Sequence, residues 1–304
     1  MGKSEPLGLL GAAAEQTPQQ LLRRRAQPLL GTIVEVALQC KSEVQFERAT
    51  RAAFSAVTEV QRAMSFHDPL SDVRRIGRAV ASEELSVNPH TWNVLYLARR
   101  IELDSGGLFN AALAPALVER GLLPVPEGAS TPLAHSLEAG LALLSEHRVR
   151  VLQPLWIDLG GIAKGYAVDC AVQCLQAQGV AAGLVNAGGD MRAFGHLSHA
   201  VHLRFQGRLM QVARLHNAAL ASSCNANLKA TGTPHTDPRT RHAVQSAHTV
   251  VVQASSAAVA DALTKVAMLC PATADQLCAA ANPDSPSVWQ AEWRSFLHGA
   301  PSLH

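Results

Sequence analysis

The sequence predicts an α+β chain in which mixed or antiparallel sheets pack against helices. Three observations carry that expectation. Residues 32–38 and 183–187 are short apolar runs of strand length, and four longer stretches repeat apolar residues at helical spacing. Segments 149–158 and 201–215 place turn residues between paired strand-like runs, which is the pattern of hairpins.

At 304 residues the chain exceeds the common single-domain length, yet one α+β domain with a long insertion accommodates it. Hydrophobic residues at 48% and charged residues at 16% describe a soluble globular protein with a large core. A formal net charge of +2 is too small to argue for nucleic acid as a partner. The six cysteines, Cys40, Cys170, Cys174, Cys224, Cys270 and Cys278, lack metal-site spacing and read as buried structural thiols, which fits a reducing compartment. No apolar stretch reaches the roughly 18 residues that span a bilayer, so no membrane insertion is expected. The apolar run at residues 7–14 has only Lys3 as a basic flank. The expected location is cytoplasmic, with export through that weak N-terminal signal as the alternative.

Residues 1–27 lack periodicity, contain Pro6, Pro18 and the run Arg23-Arg24-Arg25, and read as a solvated, disordered tail. A single domain is expected over 28–298, with a second tail at 299–304. Residues 32–38 alternate as a strand. Ser42 and Gln45 have capping-box spacing, and Phe46, Ala49, Ala53, Val57, Val60 and Met64 follow on one helical face. Asn88-Pro89 is an N-cap with Pro at N1, and Trp92, Leu95, Ala98, Ile101 and Leu103 give the next helix its apolar face until Gly106-Gly107 stops it. Residues 121–147 read as a loop with a short helix, and 149–158 as a hairpin turning at Gln153-Pro154. Residues 163–178 form a helix closed by Gly179, residues 183–187 a buried strand, and 201–205 with 210–215 a hairpin turning at 206–208. Ala258, Ala262, Val266 and Leu269 mark a last amphipathic helix over 255–269.

The stretch W-I-D-L-G-G-I-A-K-G-Y-A-V-D over residues 156–169, followed by N-A-G-G-D over 186–190, reads as a strand that delivers Asp158 to a glycine pair from which a helix leaves. Glycines without Cβ and the N–H groups at a helix start suit anionic oxygens, so a phosphate-bearing ligand is the natural hypothesis. Lys164 supplies a point charge for a phosphate, and Asp158 an acceptor for a sugar or heterocycle.

These two motifs resemble the signature of the FAD:protein FMN transferase family, and the resemblance runs unevenly from about Leu30 to Leu269. It implies a flavin-transferase (T-fold-like) architecture and the transfer of FMN from FAD to a Ser or Thr hydroxyl of an unidentified acceptor protein, through a phosphoester bond and with release of AMP. The implied FAD-binding residues are Leu30, in place of the family methionine; His67, in place of tyrosine; Leu108, Phe109 and Asn110, the last in place of aspartate; and Asp158 with Lys164. The resemblance implies Mg²⁺ held by Gly161, Asp261 and Thr264. His235 and Asp237, in T-P-H-T-D-P-R-T over 233–240, are the candidate bases, although His235 sits one residue nearer the aspartate than in relatives and Arg241 replaces the closing glycine. Lys265 stands where the family has threonine; spacing alone makes it an i, i+4 salt-bridge partner of Asp261. The alternatives are an FAD-binding protein that has lost transfer, or an FAD diphosphatase.

Overall fold

The computed structural model describes residues 10–14, 22–205, 208–224, 235–244, 246, 248–279, 289 and 291–297. The expected turn at 206–207 and the tail at 299–304 lie outside the described residues. In chain order the elements are β1 (Leu10–Ala14), β2 (Arg23–Leu29), β3 (Thr32–Gln39), α1 (Glu43–Met64), α2 (Asp72–Arg78), β4 (Glu84–Ser86), α3 (Pro89–Asp104), α4 (Ala114–Glu119), α5 (Leu137–Gly140), β5 (Leu141–Leu143) and β6 (Arg148–Val151). The second half adds α6 (Ala163–Ala177), β7 (Ala182–Ala187), β8 (Asp190–Phe194), β9 (His199–Phe205), β10 (Arg208–Leu215), β11 (Ala219–Cys224), β12 (His248–Ala254), α7 (Ala257–Leu269), α8 (Pro271–Ala279) and β13 (Ala291–Leu297).

A seven-stranded sheet in the order β13-β12-β11-β8-β7-β3-β2 forms the centre, and every pairing in it is antiparallel. Period-2 geometry sends alternate residues of β3 to opposite faces. Val34, Val36 and Leu38 face α1, α6 and α7, whereas Ala37 joins Leu184, Met191 and Leu220 in a second core beneath β9 and β10. The architecture is therefore layered, with helices on one face and the small sheet β1-β9-β10 on the other. A third sheet, β4-β6-β5, packs beside α3.

The capping signals act as the sequence suggests. Ser42 accepts from the Gln45 amide at 3.1 Å, Asn88 from the His90 amide at 2.8 Å, and Gly179 ends α6 at a φ of 73°. None of the helices among the described residues is long and apolar enough to cross a membrane.

Several expectations need correction. Residues 10–14 and 23–27, assigned to a disordered tail, lie in strands β1 and β2. The Arg23-Arg24-Arg25 run shows no apolar alternation because β2 is an edge strand, held by its backbone ladder to β3 while its arginines make exposed ion pairs. Arg24 pairs with Glu35 at 2.8 Å, Arg23 and Arg25 bond Glu43 and Glu47 on α1, and the Arg25 guanidinium lies 5.2 Å from the Phe46 ring. Segment 149–158 is no hairpin: β6 pairs with β4 and β5, and residues 152–158 bend and run on outside any ladder. Leu155 and Ile157 are nevertheless fully buried, which explains the strand-like apolar reading. Leu103 is exposed, because Val94 rather than Leu103 completes the buried face of α3. Among the cysteines Cys170 alone is buried, and the others are half-buried.

Two glycines set close approaches that position the site. A Cβ on Gly165 would lie 2.1 Å from the Ala257 carbonyl oxygen, so glycine lets α6 cross the start of α7. One on Gly188, at φ +62°, would lie 2.5 Å from the Thr32 hydroxyl. Asp169, one helical turn along α6, locks the same crossing: it accepts from the Ala257 and Ala258 amides at 3.0 Å each, caps α7, and pairs with Arg192 at 2.6 Å. Gly165→Ala should therefore lower unfolding stability by about 2 kcal/mol or more, the range for overpacking a close-packed core. Gly77→Ala, whose Cβ would rest at an ordinary 3.6 Å from Trp156, should leave stability unchanged or slightly raised in the same urea titration.

Candidate functional site

A cavity of about 520 Å³ opens between the 108–123 segment, the 158–164 turn, the β7–β8 turn, β11 and α7. That volume falls within the roughly 300–1,000 Å³ range of small-molecule pockets. Leu108, Phe109, Leu113, Leu117, Met268 and Leu269 form an apolar wall, and Asp158, Lys164, Asp190, Ser223, His235 and Lys265 supply the polar groups.

The charged floor is built where α6 meets α7. Asp261 is fully buried on α7. One of its oxygens accepts from Lys164 Nζ at 3.2 Å and from the Gly165 amide at 3.3 Å; the other accepts from Lys265 Nζ. Lys164 also bonds Asp190 at 2.7 Å. Burial alone would raise the Asp261 pKa, but the two ammonium groups overcome it and hold the carboxyl well below its usual range. Asp190, buried beside the Asp261 charge and countered mainly by Lys164, is raised to about 6. Burial opposes the charge on Lys164, yet the two carboxylates keep its pKa above the ordinary lysine value.

Asp158 turns back to accept from the Gly160 amide at 3.1 Å and hydrogen-bonds through its own amide to the Ala111 carbonyl at 2.8 Å. Burial raises its pKa against the pull of that amide and of Lys164. Asn110 lines the cavity, but its side chain is spent on the loop, donating to the His135 carbonyl at 2.8 Å and accepting from the Ala112 amide at 2.7 Å. His235 lines the cavity as well. Burial first, then the charges of Lys265 and Lys164, push its pKa down to about 3.

The structure thus brings together Leu108, Phe109, Asn110, Asp158, Gly161, Lys164 and His235 around one cavity, with Asp261 and Thr264 buried beneath it. It does not bring all the candidates there. Asp237 does not line the cavity and is held by Arg239 through contacts of 2.8 and 3.0 Å, which lower its pKa. Leu30 forms the β2–β3 turn with Gly31, at φ values of 56° and 68°, and His67 is exposed; neither lines the cavity. Sequence reasoning missed Asp190 and Ser223 as site residues. Asp190 closes the N-A-G-G-D run and so carried a signal; Ser223 reaches the site only through the pairing of β11.

The implied Mg²⁺ donors do not fit a metal as they stand. Magnesium requires about six oxygens near 2.0–2.1 Å in octahedral array. Here both Asp261 oxygens are taken by ammonium groups, and the Thr264 hydroxyl donates to the Asp261 carbonyl at 2.6 Å. Gly161 flanks the Lys265 stem, 3.5 Å from its Cε to a Cβ built on the glycine. Among the described residues no group of three or more His, Cys, Asp or Glu side chains is arranged to hold a metal ion.

Comparison with known proteins agrees with this geometry. The chain is 26% identical over 185 residues to a FAD:protein FMN transferase of Treponema pallidum, covering 56% of this chain and 51% of that protein. It is 27% identical over 145 residues to one of Vibrio cholerae, covering 45% and 43%. The chain thus spans about half the length of the curated relatives it matches. The fold is similar to that of the flavinyl transferase ApbE of Pseudomonas stutzeri in its apo form, with a TM-score of 0.72 at 20% identity over 85% of this chain and 88% of that one. The model of the ApbE family matches residues 30–287, most of the chain, and the protein belongs to that family.

Proposed function

We propose that the chain transfers FMN from FAD to a Ser or Thr hydroxyl of an acceptor protein, forming a phosphoester and releasing AMP. The observation that carries this reading is the pair of ammonium groups, Lys164 and Lys265, on the floor of a cavity with an apolar wall, in a chain whose relatives are named FAD:protein FMN transferases.

FAD has two flat ring systems joined through a diphosphate, and the cavity offers matching parts. Leu108, Phe109 and Met268 suit a ring face, while Lys164, Lys265 and the Gly160-Gly161 turn suit the phosphate oxygens. In the transfer step the acceptor hydroxyl oxygen attacks the FMN phosphorus. The new P–O bond forms as the bond from that phosphorus to the AMP phosphate oxygen breaks, and the ammonium groups neutralise the departing charge. Mg²⁺, which the family resemblance implied, is given no part in these steps because both Asp261 oxygens are bonded to ammonium groups.

The hydroxyl proton passes to His235. Its low pKa keeps the imidazole neutral and able to accept at neutral pH. The charge of bound diphosphate offsets Lys164 and Lys265, and so raises the basicity of His235 when substrate is present. Asp237 is the weaker candidate, since its carboxylate is committed to Arg239.

Purified protein given FAD and a threonine-bearing acceptor peptide should release AMP and yield flavin-labelled peptide by mass spectrometry. FAD binding with no AMP under any condition would sink the reading. His235→Gln should slow labelling by about 10²-fold or more, the usual worth of a positioned base. Asp237→Asn should change it by less than about tenfold. Lys164→Met should lower AMP release by about 10²–10³-fold, as expected for lost charge stabilisation. A base titrating near 3 in the free protein stays unprotonated down to mildly acid pH. The pH profile of kcat/KM should therefore show no His235-linked fall between pH 8 and 5, where an ordinary histidine would lose activity through about 6.5.

A further inference from the structure

The environment of Lys265 is that of a bound cation. Its Nζ donates to Asp261 Oδ1, to Thr264 Oγ1 at 3.1 Å and to Ser223 Oγ at 3.3 Å. The two hydroxyl oxygens are themselves 2.7 Å apart, so the three acceptors come from adjacent turns of α7 and from β11 and converge on one point. The stem runs past Gly161, where any Cβ would rest against Lys265 Cε. Lysine therefore fills an oxygen cradle that contains two of the residues expected to hold the metal, Asp261 and Thr264, and passes the third.

Charge balance gives an independent argument. Asp190 and Asp261 contribute two negative charges, and Lys164 and Lys265 two positive ones, in direct contact. These four groups cancel among themselves, so the Asp261 cradle has no unpaired charge left to attract a divalent ion; Asp158, the other carboxylate of the cavity lining, is turned to the Gly160 amide. An entering metal would have to displace an ammonium group from a fully buried carboxylate. A neutral side chain at position 265 would leave one net negative charge and an open set of oxygens, the conditions under which a hard cation binds.

The geometry points to Lys265 as a resident cation: its ammonium takes the place of the divalent ion in this chain, which then acts on FAD without a metal. What the cation does rests on the FMN-transfer reading; where it sits does not. Lys265 lines the cavity next to Lys164, so the charge that develops on the AMP phosphate as the diphosphate bond breaks meets two ammonium groups. Lys265 neither gains nor loses a proton in the step.

The test is a titration of the full chain with Mn²⁺, followed by electron paramagnetic resonance, alongside AMP release from FAD in the presence of the threonine-bearing acceptor peptide. The unaltered protein should leave the aqueous Mn²⁺ signal undiminished at millimolar metal, and its AMP release should be unchanged by EDTA. Lys265→Thr removes the ammonium and supplies a hydroxyl; it should bind about one Mn²⁺ per chain, at least about tenfold more tightly, and make AMP release sensitive to EDTA. Adding Asp261→Asn should abolish that binding, with circular dichroism confirming that each variant is folded. Stoichiometric, Asp261-dependent Mn²⁺ binding by the unaltered protein would overturn the inference, as would an EDTA loss of AMP release that Mg²⁺ restores. A folded Lys265→Thr protein that gains no Mn²⁺ site would overturn it too. If no AMP appears from any form, the FMN-transfer reading fails, and the Mn²⁺ titration still decides what Lys265 does.

Discussion

A carboxylate removed from water must be compensated, and Asp261 sets that demand for the whole site. Taking a charge out of water costs several kcal/mol per ion after relaxation, and breaking a buried pair typically costs about 3–5 kcal/mol. Lys164 and Lys265 meet the demand from two different helices, and the Gly165 amide adds a third donor. Lys164 and the Gly165 amide arrive because α6 crosses α7 closely, with no Cβ on Gly165 to meet the Ala257 carbonyl and with Asp169 capping α7 at that crossing. Lys265 instead reaches Asp261 from one turn along the same helix, α7. The helix crossing and the charge cluster support each other.

The same cluster gives the cavity its chemistry. A floor of paired charges under an apolar wall separates a phosphate region from a ring region by construction. Both lysines keep part of their surface toward the cavity, at 32% and 21% exposure, while Asp261 keeps none. The side of the cluster that a ligand meets is therefore positive, although the cluster as a whole is neutral. The pKa of His235 is lowered by burial first and then by that positive face, which an anionic ligand would feel as attraction.

Legibility differed between fold and site for physical reasons. Helices α1, α3 and α6 were readable because capping and 3.6-residue periodicity are local properties. Strand β2 was not: an arginine-rich edge strand takes its stability from partners on α1 and β3, which no local pattern records. Segment 152–158 misled in the opposite way, since burial of Leu155 and Ile157 gives a strand-like composition to a chain that joins no ladder.

The sequence by itself determined helices α1, α3, α6 and α7, the β9–β10 pair and the two glycine motifs that carry the family resemblance, because each depends on residues close together in the chain. Only the tertiary structure decided which candidates meet. It turned Asp237 onto Arg239, left Leu30 and His67 off the cavity lining, and brought Asp190, Ser223 and Asp261 together from β8, β11 and α7. It also gave Lys265 a meaning that spacing could not. As an i, i+4 neighbour of Asp261 it reads as an ordinary surface salt bridge, but burial of Asp261 and the arrival of Ser223 from another element make it the cation of an oxygen cradle. Distance in space, not in sequence, sets the electrostatic environment, and that distance exists only after folding.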